Sequence, residues 1–404
     1  MLIREKLNLN EHRLVGNIAE NKLIKMTDGK HSKVVVRGLR GVVAATTKIS
    51  FVDPLGSLYY SGYNIDELVD GATYEEVVHL LLNNKLPTKT ELNNLKSDLY
   101  SGMRLPKQVV QRIQSASTAC HPMEILRTEI SYLGEFDPEP DDTSDAANKR
   151  RAIRIIAKVP TIISFLHRTR TKQDAVAPVK DFSFAENILY MFRGRPADQQ
   201  EKNAMERYMI LHADHGLNAS TFAARVTAGT GSDLYSAVTS AVGTLKGSLH
   251  GGASERVMSM LYDINRIDEV EHYIQSMLDD KKKIMGFGHR VYKSEDPRSK
   301  HLRVMAERLC HQRDTLAIYH KCKKIELTVR DKKGIFPNVD FYAALVMHAL
   351  GVPREFFTSF FATSRVTGWV AHVLEQYADA VLIRPTSKYV GEYGREFIPI
   401  EKRS

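Results

Sequence analysis

At 404 residues, with 43% hydrophobic and 26% charged side chains, the chain has the composition of a globular protein and the length for one large domain or two. Cys120, Cys310 and Cys322 lack paired spacing, which argues against a disulfide scaffold or a cysteine zinc site and fits a reducing cytoplasm. A formal charge of +9 asks for an anionic partner, yet no basic block is interleaved with aromatics and no nucleic-acid motif is present. The excess is local. Between Lys281 and Lys333 there are 16 Lys/Arg against 6 Asp/Glu, which suits a polyanionic small molecule or, more plainly, a solvated basic face.

Taken in order, residues 1–36 read as an extension or a first helix, with Leu23, Ile24 and Met26 available for packing. Glu5, Glu11 and Glu20 stand among the lysines and no continuous apolar core follows, so neither a signal nor a transit peptide is expected. Val34–Val36, the β-branched stretch Val42–Val52 and Leu58–Tyr60, bounded by glycines and Asp53-Pro54, predict a small sheet or hairpin. From Asn64 onward the pattern is helical. Thr73-x-x-Glu76, Thr88-x-x-Glu91 and Ser183-x-x-Glu186 are capping boxes ahead of apolar runs, and Pro87 stops the first of these helices. Phe136–Asp145 reads as an acidic loop, Arg168–Pro178 as an exposed connection, and Pro196 as the first turn of a helix reaching His212. Leu234–Leu245 and Phe341–Leu350 are apolar enough to be buried helices. The fold class is mostly α, with one small β element near the N-terminus and no apolar run of about 18 residues to span a membrane.

Two stretches concentrate the chemistry. Lys246-Gly-Ser-Leu-His250-Gly-Gly-Ala-Ser-Glu255 and Gly286-Phe-Gly-His289-Arg-Val-Tyr-Lys293-Ser-Glu-Asp-Pro-Arg298 each place a histidine beside glycines ahead of a helical pattern. Glycine lets a ligand approach the backbone, and exposed N–H groups before a helix stabilise an anion. Either stretch alone is also compatible with an ordinary turn. His212 and His215 lie at i, i+3, a spacing compatible with a metal set of His212, His215, His250 and Asp340, or with hydrogen-bonded core histidines. Asp340, in Pro-Asn-Val-Asp-Phe-Tyr, is either a helix N-cap or a buried carboxylate raised into the range of a general base. Arg298, Arg365 and Arg384 stand in settings that call for carboxylate partners.

The ordered set Gly-Leu-Arg-Gly-Val, Thr-Lys-Ile-Ser, His-Ala-Asp-His, Leu-His-Gly-Gly-Ala, Gly-Phe-Gly-His-Arg-Val-Tyr-Lys, Asp-Pro-Arg, Pro-Asn-Val-Asp, Ser-Arg and Arg-Pro resembles the citrate synthase family, from about residue 37 to the C-terminus. The resemblance implies a nearly all-α homodimer that acts on acyl-CoA and oxaloacetate without a metal or other cofactor. It implies an extension over residues 1–36, a large domain from 37–253 and 356–404, and a small CoA-binding domain from 254–355. Asp340 matches the base that takes a methyl proton from acetyl-CoA. His250 matches the donor to the thioester oxygen, and His289 the group that polarises and protonates the oxaloacetate carbonyl. His215, Arg298, Arg365 and Arg384 match oxaloacetate ligands, with Arg384 reaching in from the other subunit. Lys293 falls at a CoA phosphate, and Ile284, Met285, Gly286, Phe287 and Gly288 along the adenine. Gly216 departs from the pattern, standing where many family members carry Glu. Citrate and 2-methylcitrate synthases share these motifs, and one methylene in an apolar pocket changes selectivity only about 10- to 200-fold.

Overall fold

A computed structural model describes residues 35–313 and 315–403. It comprises two units, one of residues 47–383 and one of the terminal segments, of which 35–46 and 384–403 are described. The packing expected of Leu23, Ile24 and Met26 lies outside the described residues.

The larger unit opens with an antiparallel sheet of β1 (Ser50–Asp53), β2 (Ser57–Tyr60) and β3 (Tyr63–Asn64), in the order 1-2-3. Ser50 pairs with Tyr60 and Phe51 with Tyr59. Alternation sends Leu58 and Tyr60 into the core, while Phe51 and Tyr59 stack outside it. The sheet is shorter than the β-branched sequence suggests. Val34 lies outside the described residues, and 35–47 form no strand, with Val43 87% exposed. Strand propensity is realised only where a neighbouring strand and a core face are present.

Sixteen α-helices follow among the described residues. The first group is α1 (Ile65–Gly71), α2 (Tyr74–Asn83), α3 (Lys89–Gly102), α4 (Lys107–Gln114), α5 (Pro122–Leu133) and α6 (Asp145–Arg170). Next come α7 (Phe184–Arg193), α8 (Gln199–His212), α9 (Ala219–Ala228), α10 (Leu234–Leu245) and α11 (Ala253–Asp263). The last are α12 (Val270–Asp279), α13 (Pro297–Gln312), α14 (Leu316–Lys333), α15 (Val339–Ala349) and α16 (Phe357–Asp379). No helix among the described residues is long and apolar enough to cross a membrane. Helices α11–α15, which cover the expected 254–355 domain, are part of the larger unit.

The three predicted capping boxes form at α2, α3 and α7, each satisfying orphan N–H groups of a first turn. Asp198 and Glu201 form another, so α8 begins at Gln199 and Pro196 lies outside it. The connection expected at Arg168–Pro178 starts later, because α6 continues to Arg170. The acidic loop after Phe136 folds onto that helix, where Asp137 pairs with Arg151 and Arg154, and Glu139 with Arg150 and Arg154.

At the centre lies α16, buried on every face from Phe357 to Leu374 except at Phe361. A helix apolar all round belongs in a core, and each fully buried Leu or Phe contributes about 1.5–3 kcal/mol. Gly368 lets α16 touch the turn after α8. Its N–H donates to the Ala213 carbonyl at 3.1 Å, and a Cβ there would collide with Asp214. That turn carries His215 and α16 carries Arg365, so the absence of one side chain fixes their spacing.

Candidate active site

His250 sits in the turn between α10 and α11. Gly251 is required beside it, since a Cβ would collide with the Leu245 carbonyl oxygen. Behind the imidazole is the first turn of α9. The Ser220 N–H donates to His250 Nε2 at 3.3 Å, and Ser220 Oγ lies 2.9 Å from the same nitrogen. Oγ accepts the Trp369 indole N–H at 3.0 Å, and its single proton is shared between Nε2 and Asn218 Oδ1, 2.8 Å away, so the Ser220 N–H is the donor that fixes Nε2 as an acceptor. An accepting Nε2 leaves the proton on Nδ1, whose edge is open. Burial, and then the Arg365 charge, lower the pKa to about 4, so the imidazole is neutral.

His289 is neutral by a different route. Its Nδ1 accepts from the backbone N–H groups of Val291 and Tyr292, both at 3.0 Å, which places the proton on Nε2. Burial and then Arg298 bring its pKa to about 4. His215 lies edge-on to His289 at 5.2 Å, with Nε2 3.1 Å from the Tyr292 hydroxyl. Burial, Arg298 and His289 hold His215 far below its ordinary pKa.

Asp340 is not the cap of its helix. Asn338 is the N-cap of α15, and its side chain accepts the Asp340 N–H at 3.0 Å. The Asp340 carboxylate is in the first turn and accepts no hydrogen bond among the described residues. Burial raises its pKa to about 6; Arg298, Arg256 and Arg365 oppose the rise, and Asp296 reinforces it. Asp296 binds this corner together. It caps α13 through the Arg298 N–H, grips the Arg298 guanidinium at 2.9 and 2.7 Å, and accepts the Val339 N–H at 3.2 Å. Arg298 is thus buried, with Nη1 left without an acceptor among the described residues. Arg365 is 2% exposed, donates through Nε to the His212 carbonyl at 2.7 Å, and lies over the Phe361 ring at 4.7 Å. Its Nη2 is buried without an acceptor among the described residues. A buried guanidinium with an idle N–H awaits an anion. Mutual electrostatics among His215, His250, His289, Arg298, Asp340 and Arg365 place all six in one neighbourhood.

A family model described as "Citrate synthase, C-terminal domain" matches residues 38–386. "Citrate synthase 2" of Bacillus subtilis (strain 168) is 46% identical over 369 residues, covering 91% of this chain and 99% of that protein. The chain belongs to the citrate synthase family. "Citrate/2-methylcitrate synthase" of the same organism is 39% identical over 356 residues, 88% of this chain and 96% of that protein. A solved ternary complex of citrate synthase from Thermoplasma acidophilum with carboxymethyl coenzyme A and oxaloacetate superposes with a TM-score of 0.87 at 33% identity. It covers 91% of this chain and 99% of that one.

Within this citrate synthase-family framework, the Ile284–Gly288 segment is tied to the start of α15, the helix that carries Asp340. Gly288 N–H donates to Phe336 O at 3.0 Å, Asn338 N–H to Gly286 O at 2.8 Å, and the Asn338 amide to Gly288 O at 2.9 Å. Gly286 has φ +80 and packs against Phe341, leaving no room for a Cβ. Met285 and Phe287 pack on the core from this loop. Much of the basic excess is neutralised, with Lys300 on Asp66, Arg303 on Glu295 and Glu326, and Arg313 on Asp198 and Glu201. Around the glycine loop, Lys281, Lys283, Arg290 and Lys293 are exposed with no acidic partner among the described residues.

His212 is a core histidine. Its ring stacks on Tyr208 at 4.0 Å, with Nδ1 2.7 Å from the Tyr208 carbonyl. Among the described residues no three His, Cys, Asp or Glu side chains are grouped to hold a metal ion, so the set His212, His215, His250 and Asp340 is not assembled as ligands. Gly216 has φ +58, a left-handed conformation suited to glycine, and its N–H donates to Ser50 and Asp214 at 2.9 Å each. Arg384 is exposed and belongs to the terminal unit. Sequence reading missed Ser220, Trp369, Asp296 and Tyr292. Asp296 was visible in Asp-Pro-Arg as a cap ahead of a proline. The others act across long sequence separations or through ring contacts that no local pattern encodes.

Proposed function

We propose that the chain condenses a short-chain acyl-CoA, acetyl-CoA favoured, with oxaloacetate, and then hydrolyses the thioester to release citrate and CoA. The observation that carries this reading is Asp340, a carboxylate with no donor among the described residues and a pKa raised to about 6, in one neighbourhood with two neutral imidazoles that present opposite N–H groups. A methyl beside a thioester is too weak an acid for a carboxylate alone. Asp340 takes the proton while His250 Nδ1–H donates to the thioester oxygen, where the developing charge needs a preorganised donor. The enol carbon attacks the oxaloacetate carbonyl carbon, and His289 Nε2–H protonates the resulting alkoxide. Water then adds to the thioester carbonyl, its proton restoring His289, and the departing CoA thiolate takes the proton held on Asp340. Arg298 Nη1 and the idle Nη2 of Arg365 bind the carboxylates, with His215 beside them.

CoA lies along Ile284–Gly288 with its phosphates toward Lys293. Residues 254–355 act as the small domain. The reaction so written uses no metal or other cofactor, acyl-CoA being a substrate. The chain works as a cytoplasmic homodimer in which Arg384 enters the site of the partner copy. Support for a covering partner comes from the terminal unit, where Val390, Tyr393 and Phe397 are 79–85% exposed. Propionyl-CoA, giving 2-methylcitrate, is the second reading, favoured by the relative that carries both activities in its name. Free-thiol release with each acyl-CoA at fixed oxaloacetate tests both. Faster turnover with propionyl-CoA selects the second, and no thiol from either rejects the proposal.

A further inference from the structure

Tyr292 has no part in the reaction as written, yet it touches both histidines on the oxaloacetate side. It is 5% exposed. Its backbone N–H donates to His289 Nδ1 at 3.0 Å, and its ring lies 4.5 Å from the His289 ring at a tilt of 32°. Its hydroxyl is 3.1 Å from His215 Nε2. The two imidazoles share no hydrogen bond with each other, and among the described residues Tyr292 alone bonds to both. Its own loop is anchored next door, where the Lys293 N–H donates to Pro54 O at 3.1 Å. Burial, above all, raises the phenol beyond its ordinary range, so the O–H is present as a donor at neutral pH. With the phenol protonated and His215 neutral, the O–H and the ring nitrogen 3.1 Å away are a matched donor and acceptor.

We propose that Tyr292 is a positioning residue that links His215 to His289 and fixes the edge of the His215 ring presented to the dicarboxylate before it binds. The proposal rests on the reading of both histidines as oxaloacetate contacts. With Nε2 tied, the His215 ring does not turn in the empty site, and substrate meets an ordered surface. The two halves of Tyr292 serve different partners. The hydroxyl holds His215, whereas the ring and backbone hold His289.

Tyr292→Phe separates them, because it removes the hydroxyl and keeps the ring and the N–H. The KM for oxaloacetate rises about 5- to 20-fold, the worth of one buried hydrogen bond, while kcat stays within about 3-fold. Tyr292→Leu also removes the ring beneath His289, so kcat falls as well. Imidazole nitrogen-15 spectra give a readout that a merely structural role would not move. In Tyr292→Phe the His215 resonances shift and those of His289 do not. An unchanged KM with unmoved His215 resonances overturns the link. Oxaloacetate that perturbs neither histidine of the wild-type protein, while the substitution still moves His215, overturns instead the reading of the site on which the proposal rests.

Discussion

The turn of His250 and the loop of His289 look alike in sequence, each a histidine among glycines ahead of a helix, and both end as neutral imidazoles. They reach that state differently. His289 is locked from within, by two N–H groups two and three residues along its own chain. His250 is locked from outside, by the first turn of α9 thirty residues away and by an indole on α16. The local lock leaves Nε2–H free and the distant one leaves Nδ1–H free. Two similar motifs thus supply donors from opposite edges of the ring, and tertiary structure determines which edge is offered at one of them.

The strongest test removes Asp340, the proposed base that both locks would serve. Asp340→Asn leaves the cap intact, because Asn338 makes it. The fold and oxaloacetate binding survive, while turnover falls by about 10²–10⁴-fold, the usual contribution of a positioned base. Solvent exchange of the acetyl-CoA methyl protons, followed with a non-reacting oxaloacetate analogue bound, falls in parallel. In the unmodified protein, kcat/KM for acyl-CoA rises as pH passes through about 6, where the carboxylate becomes ionised. Turnover of Asp340→Asn within a few-fold of the unmodified protein would leave the two histidines with no base between them.

A smaller effect separates the two locks. Ser220→Ala keeps the N–H that reaches His250 but removes Oγ, and it strands the buried Trp369 indole N–H. Turnover should fall about 5- to 30-fold, the loss expected for one or two buried hydrogen bonds, with the KM for oxaloacetate nearly unchanged. No comparable single substitution exists for His289, whose partners are backbone groups. An unaffected turnover number would mean that the α9 N–H alone orients His250, and the two locks would then be alike.

This difference also marks how far the sequence can be read. The caps at Thr73, Thr88 and Ser183, and the buried helix over Leu234–Leu245, follow from local hydrogen bonding and apolar periodicity. The glycine–histidine stretches and the arginines were legible because glycine and buried charge are costly without a purpose. Of the two readings left open for Asp340, the cap belongs instead to Asn338, two residues earlier; Asn and Asp cap equally well, and spacing alone does not separate them. The β-branched 42–47 segment misled for the converse reason, since its propensity lacks a partner strand. Ser220 and Trp369 are 149 residues apart and meet only in the folded chain.

The smallest effect is one in which the two histidines should behave alike despite their different locks. Both are held near pKa 4 in the folded chain, against 6.5 for an unperturbed imidazole. Between these values the unfolded chain binds a proton that the folded one does not. Stability from each histidine is therefore complete above about pH 6.5 and declines as pH falls towards 4. Asp340 runs the opposite way, because a carboxyl raised to about 6 binds its proton more tightly in the folded state, so its contribution falls as pH rises from 3.8 to 6. Replacing either histidine by Gln should flatten the acid side of the Tm profile by a similar amount. Each partly accessible ring is worth on the order of 1–3 kcal/mol at the acid end, or a few degrees in Tm. Asp340→Asn should steepen the same profile. Melting curves of the three variants from pH 4 to 7 measure this directly. A histidine variant whose profile overlays that of the unmodified protein would show that the ring titrates alike in the folded and unfolded chain, which would contradict the depression by burial.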